Sequence, residues 1–167
     1  MAYSKGIVTI PNVTGNIEII VTTAEAEINP IELYTGNASA YQINAKYSGN
    51  SVVSGNGRYL TEVIPVDLVT RPYLNIDGFY NGQSGNAPYL YKIGFYKGST
   101  LTKVEYSANF ITDKTSIRCS FDLSEYADYD GIQFEIQPVS TAGTTLTTAS
   151  VIPSSQASIK LSTEALY

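Results

Sequence analysis

Apolar and polar residues alternate with a two-residue period along most of this chain, which predicts strands rather than helices. The clearest run sets Ile117, Cys119, Phe121 and Leu123 against Arg118, Ser120 and Asp122. A second sets Ile132, Phe134 and Ile136 against Gln133, Glu135 and Gln137. Each reads as a half-buried antiparallel strand, one row of side chains in a core and the other in water. Tyr41, Ile43, Ala45 and Tyr47 alternate with Gln42, Asn44 and Lys46, and the Gly-rich stretch Ser48–Gly57 reads as a break. Arg58–Val66 places Leu60, Ile64 and Val66 on one face, interrupted by Glu62, with Pro65 suited to an edge or bulge. Tyr73–Asp77 turns Leu74 and Ile76 inward, and Leu90–Tyr96 puts Tyr91, Ile93 and Phe95 together. Leu101–Tyr106 and the run Ala157, Ile159, Leu161 complete the series. No stretch sustains a helical period. About eight or nine short strands separated by turn signals predict an all-β protein, an antiparallel β-sandwich of the jelly-roll type.

Ahead of this set, Gly6–Val21 forms a β-hairpin by pattern, two short β-branched strands around Pro11–Asn16. On its second strand Ile17, Ile19 and Val21 alternate with Glu18, Ile20 and Thr22, so both faces are largely apolar. A lone hairpin cannot cover two apolar faces. Residues 1–22 are therefore expected to be an attachment or assembly segment, docking through Ile7, Ile10, Ile17, Ile19, Ile20 and Val21 on a neighbour or on another copy. Residues 23–30, small, acidic and closed by Pro30, read as a linker, and residues 31–167 as the sandwich.

Composition narrows the chemistry. The chain of 167 residues has no histidine, which removes the commonest general base and zinc ligand and with it the usual hydrolytic triads. Its net charge of −5 argues against nucleic acid, whose backbone calls for clustered Lys and Arg. Only 15% of residues are charged, so Ser, Thr, Asn, Gln, Gly and Tyr cover much of the surface, a style suited to sugar recognition. Cys119, the single cysteine, excludes an internal disulfide and sits at an inward position. No apolar run approaches the roughly 20 residues of a membrane span, and MAYSKG lacks the apolar region of a secretory signal. Membrane insertion and Sec export are not expected.

Two resemblances follow from these residues. GIVTIPNVTGNIEIIV resembles a connector that recurs in tail, fibre and baseplate proteins of bacteriophages, close to G-x-[IV]-T-I-P-N-V-T-G-[ND]-I-x-I-x-V. Over roughly Gly57–Pro138 the chain resembles a galactose-binding-like or carbohydrate-binding-module-like jelly roll. Ile64-Pro65-Val66, Phe95-Tyr96-Lys97-Gly98 and Ile132-Gln133-Phe134-Glu135-Ile136 carry that likeness, with Lys97-Gly98 where the family often has Asp in the turn. The resemblances imply a non-enzymatic virion module on a tail, baseplate or head fibre, binding a host cell-surface glycan. They also imply other virion proteins as partners, a homo-oligomer with a trimer favoured, and release by lysis after synthesis in the host cytoplasm. The competing expectations are a structural decoration protein without a ligand site, and a carbohydrate-binding module of a bacterial glycan-processing enzyme.

Three groups of side chains could carry chemistry. The long polar loop DGFYNGQSGNAPYLY offers Tyr80 and Tyr89 as ring platforms for a pyranose, with Asn81, Gln83 and Asn86 for its hydroxyls. The plainer reading is surface or subunit-contact tyrosines with their hydroxyls in water. Asp122, Glu125, Asp128 and Asp130 in FDLSEYADYDG could hold a structural calcium ion, which takes roughly six to eight oxygens, although the twelfth-position Glu of a calcium loop is missing. The plainer reading there is a solvated turn capped by Asp122 or Ser124. Glu62, Glu105 and Glu135 lie on different predicted strands and look like ordinary outward-facing residues rather than a glycosidase pair.

Overall fold

A computed structural model describes residues 30–80, 88–109, 118–138 and 143–167. The predicted hairpin of residues 1–22, Ile117 and the loop residues Asn81, Gln83 and Asn86 lie outside the described residues. One sheet has the order β1 (Ile31–Glu32), β10 (Ser158–Ser162), β5 (Tyr73–Asp77), β8 (Arg118–Asp122). The other has the order β2 (Gln42–Ser48), β3 (Ser51–Leu60), β9 (Gly131–Gln137), β6 (Tyr89–Lys97), β7 (Thr100–Tyr106). The short β4 (Ile64–Pro65) also pairs with β9, and every ladder is antiparallel. With β2 and β4 set aside, the chain alternates between the sheets, except that β6 and β7 follow each other within one. That is the jelly-roll winding of a β-sandwich.

The core between the sheets is built from the residues the alternation marks as inward. Leu74, Ile76, Phe121, Ile132, Phe134, Ile136, Ile159 and Leu161 are all buried in it, as is Cys119. Branched and aromatic side chains favour these strands because they pack well on a pleated surface. Tyrosine supplies an unusual share of the filling. Tyr34, Tyr41 and Tyr59 lie together, with the rings of Tyr41 and Tyr59 stacked at 5.7 Å. The buried hydroxyls find partners: Tyr34 and Tyr59 share a hydrogen bond of 2.8 Å, and Tyr34 donates to the carbonyl of Ile152.

Four expectations change. The stretch Ser48–Gly57 is not a break, since β3 starts at Ser51 and runs through its glycines. Gly55 is inside the strand because the Lys46 stem lies on it; a Cβ there would stand 2.5 Å from Lys46 Cγ and Cδ. Tyr91 does not share a face with Ile93 and Phe95, because a bulge between Leu90 and Lys92 turns Leu90 inward instead. Leu60 is separated from Ile64 and Val66, the chain leaving the strand between Leu60 and Ile64, so Leu60 joins a second cluster while the other two pack on the main core. Tyr41 and Tyr47 part in the same way, Tyr41 into the main core and Tyr47 into the second cluster.

The buried tyrosines make a pH prediction. Burial pushes the Tyr34, Tyr47 and Tyr59 phenols far above their ordinary value of 10.0. Above about pH 10 the unfolded chain releases these protons while the folded one keeps them, so their contribution to stability is full below that pH and is lost as pH rises. In an alkaline titration, phenolate absorbance of the buried set should appear together with loss of structure. Ionisation of that set near pH 10 in a still folded protein would contradict the packing.

Candidate functional site

The residues Ala45–Ser54 at the end of the β2–β3 hairpin fold over the outer face of the larger sheet. The bend comes from an irregularity in the ladder. Ile43 pairs with Tyr59 and Ala45 with Ser54, so Asn44 alone stands against Gly55, Asn56, Gly57 and Arg58. Asn44 and Gly57 take positive φ, 59° and 80°, a backbone region open to asparagine and glycine at low cost. The Asn44 side chain then behaves as a strand partner for Leu146, donating to its carbonyl (3.0 Å) and accepting from its N–H (2.7 Å). Beyond the bend, Ala45 and Tyr47 form the second cluster with Leu60, Leu101 and Val104. Asn50 ties the tip to β7 through the Thr102 carbonyl, at 2.8 Å.

Beneath the hairpin lie polar groups that a two-residue period assigns to water. Gln133 and Glu135 are buried, at 1% and 0% exposure. Glu135 accepts from Arg58 Nη1 at 2.7 Å and from the Tyr47 N–H at 3.0 Å, with Lys92 Nζ at 4.0 Å. Lys92 donates to the Tyr47 carbonyl at 2.9 Å. Both backbone groups of Tyr47 are thus met by side chains of β9 and β6. Burial works against the Arg58 charge, but the Glu135 carboxylate outweighs it and holds the guanidinium above its usual range. Gln133 Oε1 accepts from the Tyr47 hydroxyl (2.7 Å) and the Tyr96 hydroxyl (2.6 Å), whose phenols burial keeps neutral and able to donate.

Where β3 leaves β9, a groove opens. The two strands pair only at Tyr59–Ile136 and Leu60–Glu135. Past that point Lys46, Ser54, Asn56, Arg58, Gln137 and Gly143 surround a space of about 520 Å³. Its lining offers an amide from Asn56 and one from Gln137, the Ser54 hydroxyl and two cations, a set that can meet sugar hydroxyls from several sides. An aromatic row adjoins it: the Arg58 guanidinium lies 3.7 Å from the Tyr91 ring centre, and Tyr91 meets Tyr89 and Tyr106 edge-on at 5.4 Å. A smaller space, about 180 Å³, lies at Asp77 and Ser154–Ser158.

The residues singled out by sequence are placed differently. Tyr80 is half-buried and its backbone bridges to Tyr89. Tyr89 is 5% exposed, its hydroxyl donating to Gln137 Oε1 at 2.9 Å, so its ring faces neighbouring side chains. Asn81, Gln83 and Asn86 lie outside the described residues. Three of the four acidic residues have separate partners. Asp122 accepts from Ser124, which with its backbone N–H holds the Asp122 carboxyl below the usual range. Asp130 accepts the Gly98 N–H at 2.8 Å, supplying the carboxylate that the Lys97-Gly98 turn lacks in its own sequence. Asp128 lies 3.8 Å from Lys97, and Glu125 is exposed. Among the described residues no three His, Cys, Asp or Glu side chains come together around a common point.

Comparison with protein-family models, curated proteins and solved structures gives no match. The groove therefore rests on its own geometry.

The cover depends on a close approach at Gly94, where a Cβ would stand 2.2 Å from the Tyr47 hydroxyl. Gly94→Ala is expected to destabilise the protein by about 1–3 kcal/mol, as overpacking does. In a Tyr47→Ala background the same change should cost far less, a coupling that a urea-denaturation cycle measures. Additive costs would show that the ring does not lie on Gly94.

Proposed function

We propose that the protein is a non-enzymatic surface module of a bacteriophage virion, on a tail, baseplate or head fibre, that binds a glycan of the host cell. In this reading the glycan sits in the groove between the bent hairpin and the end of β9. The observation that carries it is the groove's lining, in which the Asn56 and Gln137 amides, the Ser54 hydroxyl and two cations converge on a space of about 520 Å³. Sugars bind through such convergent polar groups beside apolar surface, and the Tyr91 and Tyr106 rings supply aromatic surface nearby. The place in a virion is supported by the likeness of Gly6–Val21 to the phage connector. Several copies, as in a trimer, would turn weak single contacts into firm attachment.

The engagement of Glu135 and Glu105 supports a binding rather than a hydrolytic role. Glu135 is enclosed beneath the hairpin and committed to Arg58 and Tyr47. Glu105 is held by Lys103 at 2.9 Å and Asn109 at 3.0 Å. A decoration role draws on a different observation: Val52 and Val53 at the hairpin tip are 41% and 37% exposed, an apolar spot suited to a neighbouring subunit.

Whole-cell pull-down with an avidity-tagged protein separates these. Replacing Asn56 and Gln137 with Ala together should weaken cell binding roughly tenfold, since each lost hydrogen bond is worth about 0.5–1.5 kcal/mol. Tyr80→Ala should have a smaller effect. Unchanged binding in the double variant would show that the glycan does not sit in the groove.

A further inference from the structure

We infer that the groove selects an acidic saccharide, one that carries a carboxylate or phosphate group. This rests on the glycan-binding reading above and adds the charge of the ligand. The chain has a net charge of −5, yet the groove lining contains Lys46 and Arg58 and, among the described residues, no carboxylate. Lys46 is the decisive residue. Among the described lysines, Lys92, Lys97, Lys103 and Lys160 each lie within 4.0 Å of a carboxylate. Lys46 has no such partner among the described residues.

Its position is built rather than accidental. The Lys46 stem lies against Gly55, where any Cβ would collide with its Cγ and Cδ at 2.5 Å. The glycine thus gives the stem a seat along β3 beside the groove. Arg58 is fixed as well, with Glu135 on Nη1 and the Tyr91 ring 3.7 Å from its guanidinium carbon. Holding the guanidinium in place removes much of the entropy that a free arginine loses on binding an anion. Its planar fork has five N–H donors, and a carboxylate or phosphate seated in the groove would take those left beyond Glu135 together with the Lys46 ammonium. Charge-assisted bonds of this kind are about twice as strong as neutral ones.

The test is a titration of the isotopically labelled full chain, followed by amide chemical shifts. The probes are an oligogalacturonate, an oligomeric glycerol phosphate and a neutral maltohexaose. The two anionic probes distinguish carboxylate from phosphate; a response to either supports the inference. The expected result is movement of the Ser54–Arg58 and Gln137 amides with an anionic probe, weakening as salt is raised. Lys46→Glu should reduce that affinity tenfold or more. Lys160→Glu, the same charge change at a site beside Glu32, should leave it nearly unchanged. An equal response to maltohexaose, or equal loss in both variants, would overturn the charge preference while leaving glycan binding standing. No groove response to any probe would overturn the inference outright; cell binding by the same protein would then point to a glycan site elsewhere, and its absence would bring down the glycan reading too.

Discussion

The buried Glu135 carboxylate is the constraint around which the larger sheet is organised. An ionised carboxylate taken out of water costs several kcal/mol unless other groups compensate it. Here Arg58, the Tyr47 N–H and the more distant Lys92 do so. The compensation requires β2 to lie across the outer face of β9, because one donor is the backbone of β2 itself. Lys92 closes the arrangement by donating to the Tyr47 carbonyl. An exposed strand edge normally leaves such backbone groups open to pairing with another chain. At Tyr47 two side chains occupy them instead.

The groove is a consequence of the same bend. A hairpin that stayed in the plane of the sheet would keep β3 beside β9 along its length. Once Asn44 is opposed by four residues of β3, the strands separate on the Arg58 side of Tyr59, and the space beside Gln137 opens. Arg58 stands at the junction and serves both sides: one nitrogen neutralises Glu135 under the cover, while the side chain lines the groove. Stability of the cover and the electrostatics of the groove are therefore coupled through one residue.

Much of the sandwich was legible in the sequence because its two-residue period reports burial against a core directly. Ile132, Phe134 and Ile136, or Leu74 and Ile76, could hardly be read otherwise. The period says nothing about what covers the opposite face, so Gln133 and Glu135 looked like solvent-facing positions. The bulge at Tyr91 shifts the pattern by one residue and reverses the reading of that strand. The groove was hidden by its glycines. Gly55 and Gly57 signal a break, yet they permit a close side-chain contact and a bend inside a strand. Arg58 beside a Gly/Asn/Ser run is the one hint in the sequence, and its meaning depends on Glu135 and Gln137, which lie far along the chain.

Native-state hydrogen exchange on the wild-type protein and Glu135→Gln reads whether the buried carboxylate pins the hairpin to the sheet. The substitution keeps the shape of the side chain but leaves Arg58 and Lys92 without their anion. The amides of Ala45–Ser54 should lose protection well beyond any change in β5, β8 and β10, since the cover opens while the sandwich holds. Unchanged protection of the hairpin, or an equal loss in both sheets, would contradict the claim that Glu135 holds it in place.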